Sequence, residues 1–314
     1  MSSLAIEVDG LTKTFGRSVH ALSGVSFSVP AGTVCGVLGH NGAGKTTTIN
    51  ILSTLLRPTS GSAAVAGFDI TREPAAVRAS ISVSGQFVAL DPLLTGRENL
   101  VLFGRLRGLR RQQARARADE LIERFDLVAA ADRRITTYSG GMARRVDFAA
   151  ALMVLPKVLF LDEPTTGLDP RSRRDAWALV SSLAEQGVTV LLTTQYLEEA
   201  DLLSDSIVVI DHGQVIASGT AEELKRRVGA SYCQVSPANP DDLPRVAAAL
   251  AGLEGMDVDE DANSLSVFAP DGVATLADVF RRIEALGVEL TDISLRKPSL
   301  DEAFLHLTNR SLTR

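Results

Sequence analysis

Three observations predict an α/β fold with a mainly parallel sheet, followed by a smaller α+β domain. Short β-branched runs alternate with longer helical patterns over about the first 220 residues. A glycine-rich G-x-x-x-x-G-K-[ST] stretch sits between a buried strand and a helical run. From Ser231 the pattern becomes strand, helix, strand, strand, helix, strand, which is the ferredoxin-like order.

In chain order, "MSSLAIEVDGLTKTFG" lacks a basic segment ahead of an apolar core, so it reads as a strand and not as a signal peptide. "TVCGVLG" (33–39), "KVLFLD" (157–162), "VTVLLTT" (188–194) and "DSIVVIDHG" (205–213) are the buried strands, and the first three end in glycine or polar residues, as ligand-bearing strand ends do. Residues 99–125 read as helices carrying Arg105, Arg107, Arg110, Arg111, Arg115 and Arg117, with Leu121, Ile122 and Phe125 at apolar spacing. Those arginines form either a solvated face, the simpler reading, or a surface for nucleic acid or lipid. Past "GQVIASGTAEELKRRVG" the expected elements are strand 232–235, helix 243–253, strands 256–259 and 264–268, helix 276–286, strand 290–295 and a last helix from Ser299, with the boundary near Gly229.

The bulk composition narrows the function. With 314 residues, 45% hydrophobic and 22% charged, the chain is long and apolar enough for one large core or two domains, so disorder is set aside. A net charge of −6 argues against a dedicated nucleic-acid binder. Two cysteines, Cys35 and Cys233, make neither a disulfide framework nor a four-ligand zinc site, which points to a reducing compartment. The longest greasy run, 148–161, falls short of the roughly 18 residues a bilayer needs and is broken by Pro156 and Lys157.

"GHNGAGKTT" puts Gly39, His40, Asn41, Gly42, Ala43, Gly44, Lys45, Thr46 and Thr47 in a phosphate-binding loop. Its glycines let backbone N–H groups wrap phosphates, the following helix start faces them, Lys45 reaches the β and γ groups, and Thr46 holds Mg²⁺. "KVLFLDEPTTGLDP" carries Asp162 to the sheet edge, where a carboxylate completes the Mg²⁺ shell, and Glu163 follows, suited to orient or deprotonate attacking water. Gln86 either senses the metal or the water, or is an ordinary loop residue; Phe15 either stacks on adenine or lies in the core. A second glycine turn, "YSGGMARR", precedes a long helix almost a hundred residues further on and reads as a second anion site. His20, His212 and His306 show no metal-ligand spacing, so no metal site is expected beyond Mg²⁺ on the nucleotide.

"GHNGAGKTT", Gln86, "YSGGMARR", "LFLDEP" and "GLDP" stand in the order and at roughly the spacing of the ATP-binding cassette (ABC) ATPases, which the chain resembles over about residues 4–225. "YSGGM", "TTQYLEEAD" and "PSLDEAFLHLT" look most like the daunorubicin/doxorubicin resistance branch, the separate ATPase subunits of ABC-2 type exporters. The resemblance implies a P-loop NTPase domain at 1–228 with a helical subdomain at about 86–155, and an accessory or regulatory domain at 229–314. It implies a head-to-tail dimer in which Ser139, Gly140 and Gly141 of one copy close over the ATP held by Gly39 to Thr46 of the other, with Asp169 at the seam. It implies a membrane permease docking near residues 86–100, a peripheral place on the cytoplasmic side of the membrane, and export of a hydrophobic drug, antibiotic or lipid.

Two departures from the family pattern stand out. Tyr138 replaces the leucine that usually opens the signature, and Gln195 replaces a histidine that contacts the γ-phosphate and water. Glutamine donates a hydrogen bond but carries no proton charge near neutral pH, so a slow ATPase relying on Glu163 is expected. A nucleotide-binding regulatory subunit and a soluble ABC ATPase outside transport remain the alternatives. The C-terminal domain either stabilises the dimer, regulates it or binds the permease.

Overall fold

The computed structural model describes residues 3–16, 18–85, 90–226 and 231–311, with backbone alone at 306 and 309–311. It divides into two compact units, Met1–Ala221 and Glu222–Arg314. The anticipated boundary at Gly229 lies outside the described residues, as does Gln86.

The larger unit opens with β1 (Leu4–Phe15), β2 (Val19–Pro30) and β3 (Val34–Leu38), then α1 (Lys45–Leu52), β4 (Ser60–Val65), β5 (Phe68–Asp69), α2 (Pro74–Ser80) and β6 (Ile81–Ser84). A helical stretch follows, α3 (Gly96–Leu106), α4 (Arg111–Arg124) and α5 (Gly140–Ala151), and then β7 (Val158–Asp162), α6 (Pro170–Glu185), β8 (Thr189–Thr194), α7 (Leu197–Leu203), β9 (Ser206–Asp211) and β10 (Gln214–Gly219). Six strands form one sheet in the order β10-β9-β3-β8-β7-β6, parallel except for the β9–β10 hairpin. Every residue of β3, β7 and β8 is buried, as a strand covered on both faces requires, and this explains their unbroken apolar runs. The N-terminal segment forms the strand its sequence suggests, β1, which pairs with β2 and joins β4 and β5 in a separate antiparallel sheet.

The helical stretch is held by local rules. Thr95 caps α3 in a reciprocal box, accepting from Glu98 N at 3.1 Å while Glu98 accepts from Thr95 N at 2.9 Å. Three of the arginines bond backbone carbonyls: Arg105 donates to Leu109 O in the loop after α3, Arg107 to Ile81 O at the start of β6 and Arg117 to Leu152 O at the end of α5. That structural use accounts for three of the six arginines.

After α8 (Ala221–Arg226), the smaller unit contains β11 (Tyr232–Pro237), α9 (Leu243–Leu250), β12 (Asp257–Asp259), β13 (Ser264–Phe268), α10 (Val273–Glu284), β14 (Leu290–Arg296) and α11 (Leu300–Ser311). Its sheet runs β12-β13-β11-β14 with every neighbour antiparallel, the topology of a ferredoxin-like fold. Alternate residues of β11 face Val246 and Leu250 of α9 and Val279 and Ile283 of α10 in one core. No helix among the described residues is long and apolar enough to cross a membrane.

Candidate functional site

The larger sheet gathers its polar residues past the C-terminal ends of the parallel strands, where ligands bind in folds of this kind. Gly39 follows β3, and a Cβ there would lie 2.4 Å from the Ile210 carbonyl, so only glycine fits. Gly44, at φ +112°, turns the chain into α1 in a backbone geometry that glycine alone adopts without strain. Lys45 is buried, donating to Gly39 O at 2.8 Å and His40 O at 3.1 Å, with Glu163 Oε1 3.5 Å from its Nζ. Asn41 and Gly42 are exposed at the loop crest, Ala43 is buried, and Thr47 is half-buried one residue beyond Thr46.

Register explains the acidic side. β7 and β8 pair with Asp162 opposite Thr193, and Thr193 Oγ1 donates to Asp162 Oδ1 at 2.5 Å. The exposed Thr46 hydroxyl donates to the same Oδ1 at 3.2 Å. Two hard oxygens at that separation, one neutral and one anionic, suit a small divalent cation such as Mg²⁺. Glu163 has φ +49°, an unusual backbone for a side-chain-bearing residue, and its N–H donates to Thr193 Oγ1 at 3.0 Å and to the Thr193 carbonyl at 3.2 Å. Thr193 is thus the hidden organiser of both acids. As one of three threonines in the strand, it carried no motif that sequence reading could have singled out.

The glycine turn forms a second group. Ser139 caps α5 by accepting from Met142 N at 3.2 Å, and Asp169 caps α6 by accepting from Arg171 N and Ser172 N, both at 3.0 Å. The two caps meet: a Cβ on Gly141 would lie 2.6 Å from Ser172 Oγ, and that hydroxyl donates to Asp169 Oδ2 at 2.6 Å. Hydrogen bonding to Ser172 holds the Asp169 carboxyl below the usual range. Ser139, Gly140 and Asp169 are exposed, and open space surrounds Gly140. Tyr138 is accommodated beneath the turn, its hydroxyl donating to Ala130 O at 2.6 Å.

A buried linkage ties the turn's helix to the acidic loop. Arg144 donates to Pro164 O at 3.0 Å, to Gly85 O at 2.6 Å and to Asp147 at 3.3 Å; burial lowers its pKa, opposed by the charge of Asp147. Glu199 is buried also, accepting from Trp177 Nε1 at 2.9 Å, and burial pushes its carboxyl above the usual range against bonds from Thr194, Trp177 and Thr165. Neither residue stood out in the sequence, because Pro164 and Gly85, which Arg144 bonds, and Trp177, which bonds Glu199, lie on other segments.

Three anticipated residues stand apart. Gln195 is half-buried just beyond β8, with no hydrogen bond to Asp162, Glu163 or the loop. Phe15 ends β1 at 42% exposure with Lys13 Nζ 5.2 Å from its ring centre, so it is not core. His40 turns its ring to the β9–β10 hairpin, where Nε2 lies 2.9 Å from Asp211 Oδ1 and the ring centre 5.4 Å from that of His212. The fold thus groups His40, Asp211 and His212, a set that spacing along the sequence does not bring out.

Comparison with known proteins shows the family and the fold. Residues 22–166 match the family model described as ABC transporter. The chain is 54% identical over 310 residues to the doxorubicin resistance ATP-binding protein DrrA of Mycobacterium tuberculosis, covering 97% of this chain and 94% of that protein. It is 49% identical to the daunorubicin/doxorubicin resistance ATP-binding protein DrrA of Streptomyces peucetius, covering 97% and 92%. Among solved structures, a dimeric ATP-binding cassette in a post-hydrolysis state with ADP and Pi is similar at a TM-score of 0.64 and 27% identity, over 68% of this chain and 98% of that one.

Proposed function

The chain belongs to the ATP-binding subunits of ABC transporters, and from that premise we propose that it hydrolyses ATP across a head-to-tail pair of copies to drive export of a hydrophobic drug, antibiotic or lipid through a separate ABC-2 type permease. The carrying observation is the division of the site: contacts link Lys45 to Glu163 and Thr46 to Asp162, whereas the exposed Ser139–Gly140 turn leads into Gly141, which packs on the Ser172 hydroxyl that donates to Asp169. A triphosphate on the first group gains N–H donors and loses water when a second copy presents the turn at its α5 start. The dimeric state of the similar cassette supports this arrangement.

Gly39 to Thr47 would hold the phosphates, and Thr46 with Asp162 would hold Mg²⁺, which when bound neutralises charge on the β- and γ-phosphate oxygens. Glu163, beside the Lys45 ammonium, orients the attacking water and takes up its proton. Phe15 is exposed where an adenine could stack, and Gln195 lends a hydrogen bond without acid–base function. Exposed Leu93, at 71%, and Leu102 favour permease docking on the helical subdomain, at the cytoplasmic face of the membrane.

The test is ATP-dependent dimerisation of the Glu163→Gln variant, followed by light scattering. The expected result is a dimer with Mg²⁺–ATP that Ser139→Arg abolishes; a monomer under saturating ATP overturns the shared site. Phosphate release equal to background in both Glu163→Gln and the unaltered chain would instead favour a nucleotide-binding regulator.

A further inference from the structure

The parallel register of β3 and β9 sets Leu38 opposite Val209, so the residues two further along each chain segment, His40 and Asp211, become neighbours. The hairpin β9–β10 then turns through His212 and Gly213 with φ of +45° and +74°, the two-residue geometry in which Asn-Gly is the favoured pair. This chain has His-Gly there, and the His212 ring lies over the same carboxylate, Nε2 at 3.8 Å from Asp211 Oδ1.

The protonation pattern of His40 is set by its other nitrogen. Nδ1 lies 2.7 Å from the Asn41 carbonyl, which can only accept, so Nδ1 carries the hydrogen. In the neutral ring Nε2 is then a lone pair directed at Asp211 Oδ1, acceptor against acceptor at 2.9 Å. A cation between them resolves the conflict, either a proton or a metal ion. An imidazole whose far N–H is donated to a backbone carbonyl is the usual arrangement of a metal-ligating histidine.

We propose that His40, Asp211 and His212 form a site for a divalent transition-metal ion of the zinc class. Their three ligand atoms lie within 4.8 Å of one another. A tetrahedral zinc with bonds of about 2.0–2.1 Å holds its ligands about 3.3–3.4 Å apart, leaving a fourth position for water. Reaching that spacing lengthens the His40–Asp211 contact slightly from 2.9 Å and draws His212 in from 3.8 Å, movements open to imidazoles that are 44% and 74% exposed beside a buried carboxylate. The set differs in kind from Thr46 and Asp162, whose oxygens suit Mg²⁺. Because Gly213 N already donates to Ala43 O at 2.9 Å, a metal on His40 and His212 would clamp the phosphate loop to the hairpin through side chains as well.

The experiment is calorimetric titration of Zn²⁺ into the chelator-treated, nucleotide-free full chain. One zinc per chain is expected, weakened about 10-fold or more by His212→Asn, a substitution that suits the turn. Hydrolysis of Mg²⁺–ATP by that variant without zinc should be unchanged. Equal zinc affinity in the variant, or no stoichiometric binding in the unaltered chain, overturns the site. Should the variant fail to fold, Co²⁺ titration of the unaltered chain decides: visible bands of a tetrahedral nitrogen and oxygen site support the proposal, and a featureless spectrum at saturation refutes it.

The clamp rests on the nucleotide reading, whereas the metal site does not. If both hold, zinc shifts ATP affinity and ATP shifts zinc affinity by the same factor. Zinc binding with no such shift leaves the site and removes the clamp.

Discussion

Replacing Thr193 with valine removes one hydroxyl from a fully buried position and leaves the side-chain shape nearly intact. That hydroxyl donates to Asp162 Oδ1 at 2.5 Å and accepts from Glu163 N at 3.0 Å. Asp162 would keep only the longer bond from Thr46, and Glu163 N only the backbone carbonyl at 3.2 Å. A hydrogen bond to a buried charge is worth about 1.5–3 kcal/mol. At about 2–4 °C per kcal/mol for a unit of this size, the larger unit should melt about 3–12 °C lower. If all of that energy is lost from the reacting arrangement of Asp162 and its neighbour Glu163, kcat falls by about 10- to 150-fold. Thr193→Ser separates positioning from packing: it loses a buried methyl, about 1 kcal/mol of stability, but retains the hydroxyl and should hold kcat within a few-fold. Calorimetry with phosphate release on both variants is the assay. A valine variant with unaltered kcat, or a serine variant that falls as far as valine, would refute the organising role of Thr193.

Four further outcomes are expected. Glu163→Gln should lower phosphate release about 10²- to 10⁴-fold while equilibrium ATP binding persists, checked by single-turnover hydrolysis and nucleotide titration. Gln195→His should raise the rate and add a pH dependence near the imidazole range of about 6.5, absent from the unaltered chain; a flat profile would count against a site-facing position 195. Gly39→Ala should abolish ATP binding and destabilise the fold by about 1–3 kcal/mol, since its Cβ would lie 2.4 Å from a backbone carbonyl that cannot move away freely. Burial raises the Glu199 carboxyl above its ordinary 4.5, so the folded state holds the proton more tightly than the unfolded one, and stability declines as pH rises from about that value toward the raised one. Glu199→Gln should flatten that slope in denaturant titrations across the range.

The phosphate loop was legible because it is made by adjacent residues: Gly39 to Thr46 supply backbone N–H groups, a lysine and a hydroxyl within one turn between strand and helix. The strand cores were legible for a similar reason, since full burial of β3, β7 and β8 demands unbroken apolar runs. Helix caps were legible in part. Ser139 and Asp169 each look like the start of a helix, but that the two caps touch through Ser172 depends on how α5 and α6 pack. The antiparallel pairing of β1 with β2 was underread because its bulges interrupt the alternation that marks a strand pair.

Local chemistry is therefore what the amino-acid order determined: which loop can wrap phosphates, which carboxylates end a strand, and which segments must be covered on both sides. Tertiary structure alone decided the partners. The register of β7 against β8 delivered Thr193 to Asp162, and that of β3 against β9 delivered His40 to Asp211, a pairing 171 residues apart in the chain. Strand pairing aligns residues by hydrogen-bond geometry and not by sequence distance, so no spacing rule read along the chain could have announced either contact.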